Sequence, residues 1–400
     1  MRRISRTPIH RLVLLALGSA ACDGAGMLTA PVDVGMDRND GGVTATEDSA
    51  LPSFDEGVRA DMGSGDAEPA ELGVRDAGAT DAPSVEPRTL SERYPNDRWD
   101  RANPAIIFAT NFEDGAEGLS LGSYTDDRAE ILRDAAEAYE GSGAMKLSFT
   151  LSGIAARGTA SASATTRFPL PVGGEYFVRF YMRYGEGTAR PHHGNGTRVY
   201  AEGFDRGGTA GLRPAGDERF NTRIDLDGQD RQFFYTYWHE MRSGRCNDGS
   251  ATPGCAGDQG NTYYYGNHLK PPDQTFVDRF AWHCYEYALR VNTPNASDGA
   301  IFLWTDDEHV GSFETGTPLG QWLRDKFYTM GEWSTTPTEP FEGLNFRTDA
   351  RVNLVRVRFE IYQEQNTLQR RRDDTPDPAE EQAVFYDDIV IATERIGCRQ

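Results

Sequence analysis

Apolar and polar residues alternate in short runs from about residue 91 to the C-terminus. Nine runs have this pattern and are rich in Val, Ile, Phe and Tyr: residues 105–109, 145–151, 176–184, 223–226, 232–239, 282–291, 300–304, 352–362 and 384–392. A period of two predicts strands, and Gly, Asn, Asp or Pro bounds most of the runs. Helical spacing is weak everywhere except around residues 319–328.

These runs predict the fold class. Many strands in roughly 300 residues, with no alternation of strands and helices, indicate an all-β antiparallel sandwich or jelly roll. No internal repeat is visible in the sequence. A single domain over residues 96–400 is acceptable for an all-β architecture of this size.

The N-terminus has the layout of a bacterial lipoprotein signal peptide. Four arginines precede a short apolar run at 12–17, small residues follow at 18–21, and Cys22 comes directly after them. The apolar run is shorter than the ~20 residues that span a bilayer, so it predicts a signal peptide over residues 1–21. Cys22 is then expected to be lipidated and to hold the exported protein at the outer membrane or cell surface. The alternative is ordinary cleavage nearby, which leaves Cys22 as a free thiol.

Residues 22–95 are expected to form a disordered acidic linker. Residues 22–90 carry 15 acidic residues against four arginines, and the segment is rich in Ala, Asp, Gly and Pro. Such a composition cannot bury enough apolar surface to offset the entropy of ordering. The whole chain has a net charge of -21 and no basic run, which argues against nucleic acid as a partner. We expect a monomer that touches the membrane through its lipid anchor only.

The cysteines are expected to form two disulfides. Four remain when Cys22 is set aside, and an even number in an exported chain favours pairing. Cys246 and Cys255 bracket a loop rich in Gly, Asp and Pro, which favours a local bridge and leaves Cys284 to pair with Cys398. Zinc binding is the competing use, but the sequence has neither CxxC nor HxxxH spacing.

Two of the predicted strands carry polar residues on one face, because side chains alternate along a strand. These residues are Asn221, Arg223 and Asp225 on the first strand, and Tyr235, Tyr237 and His239 on the second. The sequence Asp-Gly-Gln-Asp at 227–230 predicts a hairpin turn between the strands. We therefore expect the two polar faces to lie side by side.

An arginine beside paired tyrosines suits β-elimination from a uronate polymer. Cleavage removes the C5 proton, so the carboxylate must be neutralised, and arginine does this with two hydrogen bonds. A tyrosine whose pKa is lowered by the cation could take the proton and return one to the leaving oxygen. We predict Arg223 for the first role and Tyr235 and Tyr237 for the second, with His239 as an alternative base. The competing interpretation is that the tyrosines only cover a half-buried sheet.

These motifs, in this order, resemble the family 14 polysaccharide lyases. That family carries Ser-x-Arg on one strand and Tyr-x-Tyr on the next, which correspond to Asn-Thr-Arg at 221–223 and Tyr-Thr-Tyr at 235–237. Residues 282–304 are similar to its stretch W…E…NTPG…DG…W, and residues 385–393 to its closing strand. The resemblance covers roughly residues 104–398. It implies a concanavalin A-like β-jelly roll and lyase activity.

The resemblance also implies roles for residues that depart from the family pattern. Asn221 stands where the family has Ser, and it can still orient the carboxylate by hydrogen bonding. The family's Lys has no clear counterpart, and Arg198 is the nearest candidate, which adds positive charge but cannot be a base. The predicted function is β-elimination of an anionic, uronate-containing polysaccharide with no required cofactor. The alternative is a non-catalytic glycan-binding or structural surface lipoprotein with the same fold.

Two histidines are further candidates for substrate binding. His192 and His193 lie between Pro191 and Gly194 in a predicted loop. The loop could bring both imidazoles to a cleft. The alternative is that both are solvated.

A structural Ca²⁺ site is also predicted from acidic residues near the two ends of the domain. Glu113 and Asp114 follow the first predicted strand, and Asp387 and Asp388 lie in the last. If those strands are neighbours, the clustered oxygens would suit Ca²⁺. The alternative is ordinary turn chemistry around Asp-Gly.

Overall fold

A computed structural model describes residues 88–98, 103–116, 118–123, 127–167, 174–202, 210–244, 264–272, 276–330, 339–370 and 375–399. Cys22, Cys246 and Cys255, the predicted signal peptide and most of the predicted linker lie outside the described residues. None of the helices in these ranges has the length and apolarity needed to cross a bilayer.

Strands make up most of the described residues. They are β1 (Ile106–Thr110), β2 (Leu119–Ser123), β3 (Arg128–Arg133), β4 (Gly143–Thr150), β5 (Thr159–Arg167), β6 (Glu175–Tyr184), β7 (His193–Glu202), β8 (Arg219–Leu226), β9 (Gln232–Tyr237), β10 (Asn267–Lys270), β11 (His283–Arg290), β12 (Ala300–Thr305), β13 (Glu308–Phe313), β14 (Leu319–Leu323), β15 (Lys326–Thr329), β16 (Glu339–Pro340), β17 (Leu354–Glu364) and β18 (Glu381–Ala392). Three short helices join them: α1 (Leu90–Arg93), α2 (Leu151–Arg157) and α3 (Gln365–Arg370). A 3₁₀ turn spans Pro95–Asp97.

The strands assemble into two sheets. One has the order β13-β12-β11-β6-β18-β4-β3, with β1 also paired to β18. The other has the order β16-β14-β15-β10-β9-β8-β7-β17-β5-β2. Among the described pairs all are antiparallel apart from β10 with β15. The predicted all-β jelly-roll sandwich is confirmed.

The core lies between the two sheets because each strand turns alternate residues inward. On β17, Val357, Phe359 and Ile361 are buried. The ring of Phe359 packs edge-on against Phe180 of β6, with 5.7 Å between ring centroids. The residues between them on β17 therefore face away from the core.

Each of the nine predicted strand runs coincides with a strand, and the segment with helical spacing does not form a helix. Residues 319–328 form the β14–β15 hairpin, which turns at Arg324 with a φ of 57°. Trp322 and Phe327 pack on the core, whereas Leu319 and Leu323 are exposed. The spacing misleads because two of its apolar side chains point to solvent.

The folded domain begins earlier than predicted. Leu90 is fully buried, and the backbone N–H groups of Leu90 and Ser91 donate to the carbonyls of Arg395 and Ile396 at 3.0 and 2.8 Å. This docking ties residues 88–98 to the C-terminal segment. Residues 88–95, which the composition assigns to the disordered linker, therefore pack against the domain.

The predicted disulfide between Cys284 and Cys398 is present. It joins β11, in the middle of its sheet, to the C-terminal segment and closes a loop of 114 residues. A crosslink over a loop of this length removes much conformational freedom from the unfolded chain.

Changing Cys284 and Cys398 together to serine is expected to lower the free energy of unfolding by up to about 4.7 kcal/mol, the chain-entropy value for a loop of about 100 residues. Urea denaturation of the wild-type and doubly substituted chains measures this difference. Equal stability of the two chains would contradict the prediction.

Candidate active site

A groove of about 460 Å³ lies on the face of the ten-stranded sheet that points away from the core. Its lining combines histidines, arginines, tyrosines and carboxylates from several strands: His192, His193, Arg198, Ala210, Asn221, Arg223, Asp225, Leu226, Phe233, Tyr235, Tyr237, Tyr265, His268, Tyr362 and Glu364. All five residues predicted to be catalytic are among them. His192 and His193, which are predicted to bind substrate, also line the groove.

Strand alternation explains why β8 and β9 present their polar residues in this groove. On β8, Phe220 and Ile224 belong to the core, so Asn221, Arg223 and Asp225 face the groove. The predicted hairpin is present, and it pairs Arg223 directly with Tyr235. The expectation that the two polar faces lie side by side is correct.

One row of side chains crosses five adjacent strands of this sheet. Arg358 on β17 pairs with Arg198 on β7, which pairs with Arg223 on β8. Arg223 pairs with Tyr235, and Tyr235 pairs with His268 on β10. Side chains directly opposite each other on neighbouring strands lie about 5 Å apart at Cβ. Three guanidinium groups therefore stand next to a tyrosine and a histidine.

Two buried carboxylates form ion pairs with this row of arginines. Glu360 Oε1 lies 3.0 Å from Arg198 Nε and 3.1 Å from Arg223 Nη1. Its Oε2 lies 3.1 Å from Arg358 Nε, and Asp225 Oδ2 lies 3.3 Å from Arg223 Nε. Burial alone would raise the pKa of the Glu360 carboxyl, but the three arginines lower it to about 2. Three cations against two carboxylates leave the cluster positive.

The two tyrosines lie at the bottom of the groove. Their hydroxyl oxygens are 3.5 Å apart, and the Arg223 guanidinium lies 4.7 Å from the centroid of the Tyr235 ring. Tyr235 and Tyr237 are 5% and 7% exposed, so they are buried although they line the groove.

The predicted direction of the tyrosine pKa is wrong for Tyr235. Burial raises its pKa well above the usual value, the neighbouring Tyr237 adds to the rise, and Arg223 offsets only part of it. The effect of desolvation on the pKa is larger than that of Arg223, because a phenolate in this place would lose most of its hydration. Tyr235 thus holds its proton at neutral pH and is suited to donating it.

His193 is paired with Asp225. Its Nδ1 lies 2.9 Å from Asp225 Oδ2, and its ring centroid is 4.7 Å from that of Tyr235. Burial and the Arg223 charge lower the pKa of the imidazole to about 3, and Asp225 opposes them only in part. His193 is therefore neutral at neutral pH. His192 lies beside it with Nδ1 2.7 Å from Thr367 Oγ1.

A backbone irregularity directs His193 into the groove. Gly194 has a φ of +103°, and a Cβ atom there would lie 2.4 Å from the carbonyl oxygen of Glu360. The pairing of β7 with β17 shifts register in this region, where His193 opposes Tyr362. Glycine is required because only it fits this conformation and this close approach.

The structure corrects the prediction for His239. β9 ends at Tyr237, so strand alternation does not extend to residue 239. The His239 side chain lies next to Gly216, with Nε2 3.6 Å from Glu240 Oε1, and it is not among the described residues that line the groove.

The predicted Ca²⁺ ligands do not form a cluster. Glu113 accepts hydrogen bonds from the N–H groups of Ser142 and Gly143, and Asp387 accepts from other backbone N–H groups. Asp388 is bound by Arg399 at 2.8 Å. Within the described residues, Asp114 included, no group of three or more His, Cys, Asp or Glu side chains is placed to bind a metal. The carboxylates of Glu113 and Asp387 thus accept hydrogen bonds from backbone N–H groups, and Asp388 pairs with an arginine.

The contribution of β17 to the groove is absent from the sequence predictions. Arg358, Glu360, Tyr362 and Glu364 stand at alternate positions on this strand. The alternating Arg-Phe-Glu-Ile-Tyr stretch is a signal for one polar face. Nothing local indicates that this face lies beside Arg198 and Arg223.

No protein-family model matches the sequence, and no curated protein matches it. Solved structures do. An alginate lyase from Chlorella virus is 10% identical with a TM-score of 0.44, over 72% of this chain and 99% of that one. The endo-β-1,4-glucuronan lyase of Trichoderma reesei is 13% identical with a TM-score of 0.40, over 73% and 100%.

A third similar structure belongs to the family that the motifs resemble. It is the PL-14 alginate lyase of Aplysia kurodai, 10% identical with a TM-score of 0.41, over 72% of this chain and 98% of that one. At these identities and TM-scores the likeness carries no conclusion about this chain. The groove's own residues are therefore the basis for a functional proposal.

Proposed function

We propose that the groove binds an anionic, uronate-containing polysaccharide and cleaves it by β-elimination. The observation that carries this proposal is the direct pairing of Arg198, Arg223 and Tyr235 on adjacent strands. It sets a carboxylate-binding cation beside a protonated phenol in one groove.

Charge supports an anionic substrate. The chain as a whole has a net charge of -21. The row of Arg198, Arg223 and Arg358 nevertheless brings three cations together, paired with Asp225 and Glu360, and the Glu364 carboxylate also lines the groove. Guanidinium groups in a row are donors that can bind the carboxylates of a polyanion.

Four groove residues would have separate roles in the elimination. Arg223, with Asn221 beside it, would bind the uronate carboxylate and make the C5 proton more acidic. When that proton leaves, the C4–O4 bond breaks and a C4=C5 double bond forms. Tyr235 would give its proton to the departing O4, and Arg198 would add positive charge in a role that involves no proton transfer.

The test is a survey of polymers with the purified chain. Glucuronan and alginate are expected to yield products that absorb ultraviolet light through the new double bond, and a neutral glucan is expected to yield none. Absence of unsaturated products from every uronate polymer would overturn the proposal.

Glycan binding without catalysis is the second candidate. It is favoured by the way Glu360 and Asp225 already engage Arg223, because a paired guanidinium is less available to a substrate carboxylate. The same survey separates the two candidates, since a binding module would retain a uronate polymer on a column and release no unsaturated ends.

We also propose that Cys22 is lipidated and holds the domain at the cell envelope. The spacing of basic, apolar and small residues before Cys22 supports this. Changing Cys22 to serine is expected to move the protein from the membrane fraction to the soluble fraction, measured by immunoblotting after fractionation. A Cys22→Ser chain that stays with the membrane would contradict the anchor.

A further inference from the structure

We infer that His193, held by Asp225, is the general base that removes the C5 proton. This inference rests on the proposed elimination and assigns the base, a role that Tyr235 does not fill because it keeps its proton. His193 is the catalytic residue in this assignment, and Asp225 is a positioning residue.

Elimination at neutral pH needs a base without its proton, and the groove restricts the choice. Tyr235 keeps its proton because burial raises its pKa. Arg198 cannot lose a proton. Lys270, at the edge of the same face, is bound to Asp227 at 2.9 Å. The neutral imidazole of His193 is a group in the groove that can accept a proton directly.

Asp225 determines which nitrogen of His193 is free. Arg223 and His193 hold the pKa of the Asp225 carboxyl well below its usual range although burial opposes them, so Asp225 is ionised and can only accept hydrogen bonds. The proton of His193 therefore lies on Nδ1, 2.9 Å from Asp225 Oδ2. Nε2 carries the lone pair that a base needs.

The backbone also donates a hydrogen bond to this pair. The N–H of Gly194 donates to Asp225 Oδ1 at 3.2 Å, so residues 193 and 194 contact both oxygens of one carboxylate. The imidazole lies near the rings of Tyr235 and Tyr362, whose centroids are 4.7 and 6.3 Å from its own. The His193 side chain is 18% exposed, which leaves part of it open to the groove.

His268 also lines the groove but is less suited to the role. Its ring stacks on Phe233 with 4.6 Å between centroids, and Lys326 and Lys270 add to the burial that lowers its pKa. Its Nδ1 and Nε2 have no described carboxylate to fix the tautomer, whereas His193 has Asp225.

The proposed step is balanced. His193 Nε2 takes the C5 proton, the C–H electron pair forms the C4=C5 bond, and the C4–O4 bond breaks. Tyr235 gives its proton to O4. The imidazolium then returns a proton to the Tyr235 phenolate, whose ring centroid lies 4.7 Å from that of His193. No oxidant, metal or further reactant enters the balance.

A second histidine–aspartate pair provides a matched control. His283 Nδ1 lies 2.7 Å from Asp306 Oδ2, and its side chain is also 18% exposed. This pair belongs to the eight-stranded sheet and not to the groove. His283→Gln is therefore expected to retain the activity of the wild-type chain.

The experiment measures kcat by ultraviolet absorbance and Kd by calorimetry, on alginate or glucuronan, whichever the wild-type chain cleaves. His193→Gln removes the imidazole but keeps a polar side chain, and it is expected to lower kcat by about 10²–10⁴-fold while Kd changes less than about twofold. His193→Ala is expected to lose the same activity and to regain at least about tenfold when imidazole is added. A merely structural role would not give rescue by a small base.

Four outcomes would overturn the inference. A His193→Gln chain within about threefold of wild-type kcat removes the base assignment alone and leaves the lyase proposal standing. Loss of activity in His268→Gln but not in His193→Gln also removes the base assignment alone. So does a folded His193→Ala chain that imidazole fails to rescue. A wild-type chain inactive on every uronate polymer overturns the lyase proposal and the base together.

Discussion

Replacing Arg223 with alanine is expected to abolish the release of unsaturated ends and to destabilise the domain at the same time. Arg223 lies within 3.3 Å of Asp225 and 3.1 Å of Glu360, and all three side chains are buried. Removing one partner of a buried pair leaves uncompensated charge and typically costs about 3–5 kcal/mol. Ultraviolet assays and urea denaturation measure the two effects.

The control for this substitution is Arg223→Lys. Lysine restores the positive charge and should recover most of the stability, but it cannot bind a carboxylate through two parallel hydrogen bonds. We therefore expect Arg223→Lys to be folded and still strongly impaired in kcat/KM. Full activity in a folded Arg223→Ala chain would show that the reaction is carried elsewhere.

Replacing Tyr235 with phenylalanine is expected to lower kcat by about 10²–10⁴-fold, the usual contribution of one general acid. The fold and the Kd for the polymer should change little, because the ring and its contact with Arg223 remain. Steady-state rates and calorimetry on the same polymer measure both quantities.

Tyr237→Phe is the matched substitution, since its hydroxyl lies 3.5 Å from that of Tyr235. It removes a neighbour of the proposed acid but not the acid itself, so its effect on kcat should be smaller. A larger loss in Tyr237→Phe than in Tyr235→Phe would contradict the assignment of the acid.

Local pattern is enough to predict nine of the eighteen described strands and one half of the site. The alternation in β8 and β9 and the short turn between them put Asn221, Arg223, Tyr235 and Tyr237 together, because hairpin register depends on neighbouring residues only. Where the strand ends, the same rule fails. Alternation predicts His239 on the tyrosine face, but β9 stops at Tyr237.

The other half of the site depends on contacts between distant parts of the chain. Glu360 reaches Arg223 across 137 residues of sequence, and no local pattern encodes the pairing of β17 with β7. The burial that raises the pKa of Tyr235 is also a property of the assembled sheet. For this reason the sequence predicts the groove residues of β8 and β9 but not His268, Tyr362 or Glu364, and it predicts the sign of the Tyr235 pKa shift wrongly.

The reason for a glycine at position 194 becomes visible only in the assembled sheet. His-His-Gly at 192–194 predicts a loop, whereas His193 begins β7 and Gly194 bends the strand at a positive φ. A glycine directly after a histidine is compatible with either structure. The close approach to the Glu360 carbonyl distinguishes them, and it arises only once β7 and β17 are paired.

The most direct test of the central claim is the mass of the products formed in heavy-oxygen water. Elimination breaks the C4–O4 bond without adding water, so products of alginate or glucuronan digestion should contain an unsaturated end and no more heavy oxygen than a reducing oligomer of the same polymer takes up by exchange in the same time. Products that carry one heavy oxygen and no double bond would show hydrolysis, and would contradict the roles assigned to Arg223, Tyr235 and His193.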